Sequence, residues 1–144
     1  MAIFNRVADI ASKRMPKVLS PRGHAIADYL TVATFLVVGS VFWGRHKRAA
    51  LASFICGGAE LATNLLTNYP GGVAKLIPFH THRTIDLGLA AMTATMPEFL
   101  NFEDDREKKF FLAQASVITV ATNLTEFEPL KPVLASSRSI RRSA

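Results

Sequence analysis

The sequence predicts an all-α fold: a four-helix transmembrane bundle made of two tandem helical-hairpin repeats, preceded by an amphipathic interfacial helix. Three observations carry that reading. Four apolar stretches of near-helix length occur at 25–44, 49–66, 85–102 and 110–124. The first of them, AIADYLTVATFLVVGSVFWG, has Asp28 as its only charge and meets the roughly 20 residues a helix needs to cross a bilayer. Two short motifs also return, in the same order, later in the chain.

Composition is consistent with one domain in a chain of 144 residues, almost half of them apolar. The mean hydropathy of +0.22 is low for a polytopic protein, because two charged tails dilute the apolar stretches. Lys+Arg 17 against Asp+Glu 11 gives a net charge of +6, which points to an acidic partner. Cys56 is the single cysteine and lies in an apolar run, so an internal disulfide is excluded and a structural thiol is expected. There is no Gly-rich phosphate loop and no CxxC metal pattern, and the N-terminus lacks the features of a cleaved secretory signal.

In chain order, residues 1–20 form the interfacial segment. Ile3, Phe4, Val7, Ile10 and Ala11 recur at helical spacing, with Arg6, Lys13, Arg14 and Lys17 available for the opposite face and Pro16 ending the helix. Such a helix lies on anionic lipid. Residues 21–130 form the bundle. Its first stretch ends in Phe42 and Trp43, which suit an aromatic belt at the membrane interface. The second carries Glu60, and the third carries Asp86, Pro97 and Glu98, with Glu98 near the opposite interface. The fourth spans only by drawing in flanking residues, so a soluble four-helix bundle is the competing fold. Small residues, as in ICGGAELA and LAAMTATM, allow helices to approach closely in lipid. Residues 131–144 are a basic tail expected to be disordered.

Sliding the chain along itself gives the repeat. Displaced by 58, HAIAD at 24–28 falls on HRTID at 82–86; displaced by 59, ATNLLTNYP at 62–70 falls on ATNLTEFEP at 121–129. Repeat one is 24–70 and repeat two 82–129, each reading His-x-x-x-Asp, helix, charged connection, helix, Ala-Thr-Asn-Leu, proline. Two spans per repeat give both copies one orientation, so His24, Asp28, Asn64, His82, Asp86 and Asn123 are expected on one side at similar depth. Eleven of the Lys and Arg residues lie in the tails and middle loop and six in the two hairpin connections, which places both termini in the cytoplasm.

Spacing i, i+4 puts each histidine one turn from its aspartate on a shared helix face. His24, Asp28, His82 and Asp86 are therefore a candidate divalent-metal set, with His80 as a possible fifth ligand. Haem held by His24 and His82 is a second alternative. The plainer expectation is that each acid caps or hydrogen-bonds at a helix start, where it favours the dipole, while its histidine donates to it or sits in the headgroup zone. Glu60 lies deep in the second helix, one turn before Asn64, opposite Thr119 in the other repeat. It is expected either to bond a neighbouring helix or to line a polar cavity. No nucleophile setting or carboxylate pair is recognisable, so no catalytic residue is assigned and the balance is against an enzyme. The basic residues flank apolar spans without exposed aromatics between them, which argues against nucleic acid.

The segment HTHRTIDLGLAAMTATMPEFLNFEDDREKKFFLAQ resembles small bacterial integral membrane proteins of the SPW-repeat type. Their hairpins run His-x-x-x-Asp, apolar helix, a Ser-Pro-Trp-like turn and an acidic connection. The resemblance spans about residues 24–129; Pro97 matches the proline, Met96 and Glu98 replace its neighbours, and the first copy has Gly39 there. It implies a duplicated hairpin in a bacterial inner membrane and no particular activity. The expected function is structural or interactive, as a self-associating protein or an accessory subunit of a larger membrane complex. A metal-, haem- or lipid-binding protein, used in transport or redox chemistry, is the alternative.

Overall fold

The computed structural model describes residues 16–103 and 105–127. The expected interfacial helix and basic tail lie outside these residues. Within them the chain is four helices with no strands: α1 (Pro21–Trp43), α2 (Lys47–Leu66), α3 (Phe79–Phe99) and α4 (Lys108–Leu124).

Local chemistry fixes the helix ends. Ser20 caps α1 by accepting the Gly23 N–H at 3.2 Å, and Pro21 supplies the preset φ of a first helical residue. His46 caps α2, its Nδ1 accepting the Ala49 N–H at 3.2 Å, while its Nε2 meets Asp105 at 2.8 Å. That bond, with Arg48 donating to the Asn101 carbonyl at 2.9 Å, ties the two hairpin connections together. α3 begins at Phe79, six residues before the apolar stretch read from the sequence, so Asp86 lies two turns inside the helix. Asp28 is equally far inside α1, and neither helix has an acid in its first turn. The expected capping by these aspartates is therefore corrected. Pro97 sits in the last turn of α3, where few backbone donors remain for it to disrupt.

α1 packs along α2 and α3 along α4, and the hairpins meet through α2 with α3 and α1 with α4. Gly57 sets the first contact, since a Cβ there would lie 2.8 Å from that of Phe35. The interior has two halves. Toward the hairpin connections it is apolar, built from Phe35, Ala52, Cys56, Ala90, Phe102, Phe111 and Ile118. Toward the termini it is polar.

That terminal end is stitched by backbone bonds that recur at a displacement of 58. Val18 and Leu19 N–H both donate to the Leu124 carbonyl, and Leu76 and Ile77 both donate to the Leu66 carbonyl. Leu19 pairs with Thr125 as Ile77 pairs with Thr67. The Glu126 N–H donates to Leu19, and the Asn68 N–H donates to Ile77.

The outer faces of α1, α2 and α4 are largely apolar. Ile26, Leu30, Val37 and Val41 on α1, Leu51 and Ile55 on α2, and Leu112, Val117 and Val120 on α4 are all exposed. α1 and α2 are long and apolar enough to cross a membrane. At 1.5 Å per residue α1 measures about 34 Å and α4 about 26 Å.

Candidate functional site

The polar half closes around His24, Asp28, His82 and Asp86, all at most 5% exposed. Helical spacing brings each His–Asp pair onto one face, and the bundle turns the two faces toward each other. Each imidazole then reaches the carboxylate of the other hairpin: His24 Nε2 lies 3.1 Å from Asp86 Oδ2, and His82 Nε2 lies 3.2 Å from Asp28 Oδ2. Within each pair the separations are 3.5 Å for His24–Asp28 and 3.1 Å for His82–Asp86. One ligand atom from each of the four residues fits within 4.8 Å of all the others, and they form the single such set of three or more His, Cys, Asp or Glu among the described residues.

The outer side of each group is held by a hydroxyl. Thr125 Oγ1 gives its proton to the Ala121 carbonyl at 2.7 Å and meets His24 Nδ1 at 2.8 Å. Thr67 Oγ1 gives its proton to the Thr63 carbonyl at 2.7 Å and meets His82 Nδ1 at 2.8 Å. A hydroxyl has one proton, so when each threonine gives it to the carbonyl the imidazole Nδ1–H is the donor to the threonine oxygen. Tyr69 donates to Asp28 and Thr122 to Asp86, each at 3.2 Å. Burial, followed by the charge of Asp28, pushes the Tyr69 phenol above its ordinary range. Tyr69, Phe79 and Phe127 cover the centre: Phe79 and Phe127 lie 4.6 Å apart, and Phe127 stands edge-on to His24 at 5.1 Å.

Other expected participants are placed differently. His80 is exposed and outside the set, so a fifth ligand from it is corrected. Haem does not fit either. The rings of His24 and His82 stand 5.2 Å apart at 85° with both carboxylates against their Nε2 atoms, which leaves no slot for a macrocycle. Surface grooves of about 450 Å³ beside Arg22 and Tyr29 and about 590 Å³ beside Met92 and Phe99 do not reach the centre. Glu60 and Asn64 are buried in α2, and Glu60 Oε2 with both polar atoms of Asn64 has no hydrogen-bond partner. Asn123 is only half-buried; its amide donates to the Thr119 carbonyl, and its own carbonyl accepts from Lys17 at 2.6 Å. The two asparagines therefore do not occupy matching places. The register is 58 throughout the centre, which aligns Asn64 with the fully buried Thr122. Shifting by one residue rotates a helix position by about 100°, enough to carry Asn123 off the inner face. Thr67, Tyr69, Thr122 and Thr125 were missed by sequence reasoning, and the 58-residue register applied to Thr67 and Thr125 was the signal that could have found that pair.

Comparison of the chain with family models, curated proteins and solved structures finds no match. The functional reading rests on the geometry of this centre and of the surface around it.

Proposed function

We propose that the chain is a small integral membrane protein of structural or interactive role, in which two tandem hairpins span the bilayer four times. One observation carries this reading: polarity is inverted. His24, Asp28, His82 and Asp86 are inside, while isoleucine, leucine and valine line the outer faces of α1, α2 and α4. In water such a surface is a large uncompensated apolar patch; in lipid it is the solvated face, and the interior polar groups bind helix to helix. The shorter α4 is accommodated by a locally thinned bilayer and by its flanking residues.

The reciprocal His–Asp contacts make the two hairpins one unit. The recurrence of contacts at a 58-residue displacement supports the tandem repeat. The excess of Lys and Arg at the terminal end favours both termini on the cytoplasmic side of a bacterial inner membrane. Gly58 and Gly88 leave open space on the outer faces of α2 and α3, room for close approach of a second copy or a larger complex.

Carbonate washing of membranes from expressing cells tests the first claim: the chain stays in the pellet, and release to the supernatant refutes it. Native electrophoresis in mild detergent tests the second: co-migration with copies or other chains is expected, and a lone monomer refutes it.

A further inference from the structure

We infer that the centre formed by His24, Asp28, His82 and Asp86 is a binding site for one divalent first-row transition metal, with zinc the best match. The inference deepens the membrane reading above and rests on it only for the surroundings of the site, not for the ligand geometry.

The first argument is the tautomer. With the threonine protons on the Ala121 and Thr63 carbonyls, both Nδ1 atoms donate to Thr125 and Thr67, and in the neutral imidazoles both Nε2 lone pairs then point inward at carboxylate oxygens 3.1–3.5 Å away. Lone pairs facing carboxylates repel each other unless protons or a metal cation lie between them, and one divalent ion serves all four groups at once. An imidazole that donates its outer N–H while offering its inner nitrogen is the arrangement of a metal-ligating histidine.

The second is distance. With metal–ligand bonds of about 2.0–2.1 Å, a tetrahedral site has ligand–ligand edges of about 3.3 Å. The four His–Asp edges here are 3.5, 3.1, 3.2 and 3.1 Å, Asp86 using one oxygen toward each histidine. The His–Asp edges are therefore already at zinc spacing, the four ligand atoms, within 4.8 Å of one another, draw together at their longer edges around the ion, and there are too few oxygens for calcium or octahedral magnesium.

The third is charge. Two carboxylates buried among helices carry two negative charges, and one divalent ion cancels them with both imidazoles neutral. No Lys or Arg salt bridge reaches Asp28 or Asp86 among the described residues. Asp86 Oδ1 also has no hydrogen-bond donor, as expected of an atom reserved for an ion.

The outer ring completes the site. Tyr69 and Thr122 hold the carboxylates, Thr67 and Thr125 hold the imidazoles, and the aromatic cover of Tyr69, Phe79 and Phe127 excludes water. Four protein ligands with no open position describe a structural site, in which metal fastens one hairpin to the other.

The full chain, purified in mild detergent and stripped with a chelator, is titrated with Co2+ and then Zn2+. One Co2+ per chain with the intense visible bands of tetrahedral coordination, displaced by Zn2+, is expected. So is a melting temperature raised by Zn2+ and lowered by chelator in the unmodified chain. Thr67→Val, which leaves all four ligands in place, should weaken Co2+ binding by about 10–100-fold, the usual effect of losing an outer partner. His82→Gln should abolish the bands. If the unmodified chain remains in carbonate-washed membranes yet binds no tetrahedral Co2+, or melts identically with and without Zn2+, the centre is held by protons alone and the metal inference is overturned while the membrane reading stands.

Discussion

Thr67→Val isolates the reciprocal hydroxyl clamp. The residue is fully buried, and its hydroxyl makes two bonds: it gives a proton to the Thr63 carbonyl at 2.7 Å and takes one from His82 Nδ1 at 2.8 Å. Valine keeps the shape, so no cavity opens. It strands one N–H and one of the last carbonyls of α2, groups that cost about 1–3 kcal/mol each when left buried and unpaired. The sum, reduced for partial relaxation, is about 2–4 kcal/mol. Thr125→Val removes the corresponding bonds to Ala121 and His24 and should cost a similar amount. Thr67→Ser keeps the hydroxyl and should cost about 1 kcal/mol, the loss of one methyl group. The assay is reversible unfolding of the detergent-solubilised full chain, followed by helical circular dichroism. A Thr67→Val cost below about 0.5 kcal/mol, the scatter of uninvolved surface positions, refutes the clamp.

The same unfolding assay checks three further outcomes. Gly72→Ala puts a Cβ 1.6 Å from the Thr67 carbonyl oxygen and should cost about 2–4 kcal/mol by displacing the clamp, whereas Gly58→Ala meets nothing within 4 Å and should stabilise α2 by about 0.5–1 kcal/mol. Phe111→Ala empties the apolar half and should cost about 3–5 kcal/mol, against less than about 0.5 for Glu98→Gln, whose pairing with Lys108 at 3.7 Å is at the surface. Because the folded Tyr69 phenol titrates above its unfolded value of 10.0, its contribution to stability is intact below pH 10 and fades above it. Tyrosinate absorbance should therefore show one of the two tyrosines resisting ionisation until the chain unfolds, a behaviour absent in Tyr69→Phe.

Helix positions were legible because they depend on local features: apolar runs, Pro21, and the charged connections at 44–48 and 103–109. The start of α3 was not, because Phe79, His80, Thr81 and His82 carry no apolar pattern; the helix there is held by the bonds of 76–77 to α2. The His–Asp pairs were legible as a repeated spacing. Their cross-hairpin partnership was not, since i, i+4 geometry pairs His24 with Asp28 as readily as the bundle pairs it with Asp86. Matching Ala-Thr-Asn-Leu by identity selected Asn123, while packing obeys the register set by Thr67 and Thr125. Thr67 and Thr125 lie inside the matched segments, but they align only at a displacement of 58, which the stronger Ala-Thr-Asn-Leu identity at 59 conceals.

The stitches at the terminal end cross between halves: the entry to α1 bonds the exit of α4, and the entry to α3 bonds the exit of α2. Neither half can satisfy its own backbone there, so each is an incomplete object until it meets its counterpart. The linker through Gly71 and Gly72 thus keeps two mutually dependent halves at hand for each other, so that closing the bundle is an event within one chain.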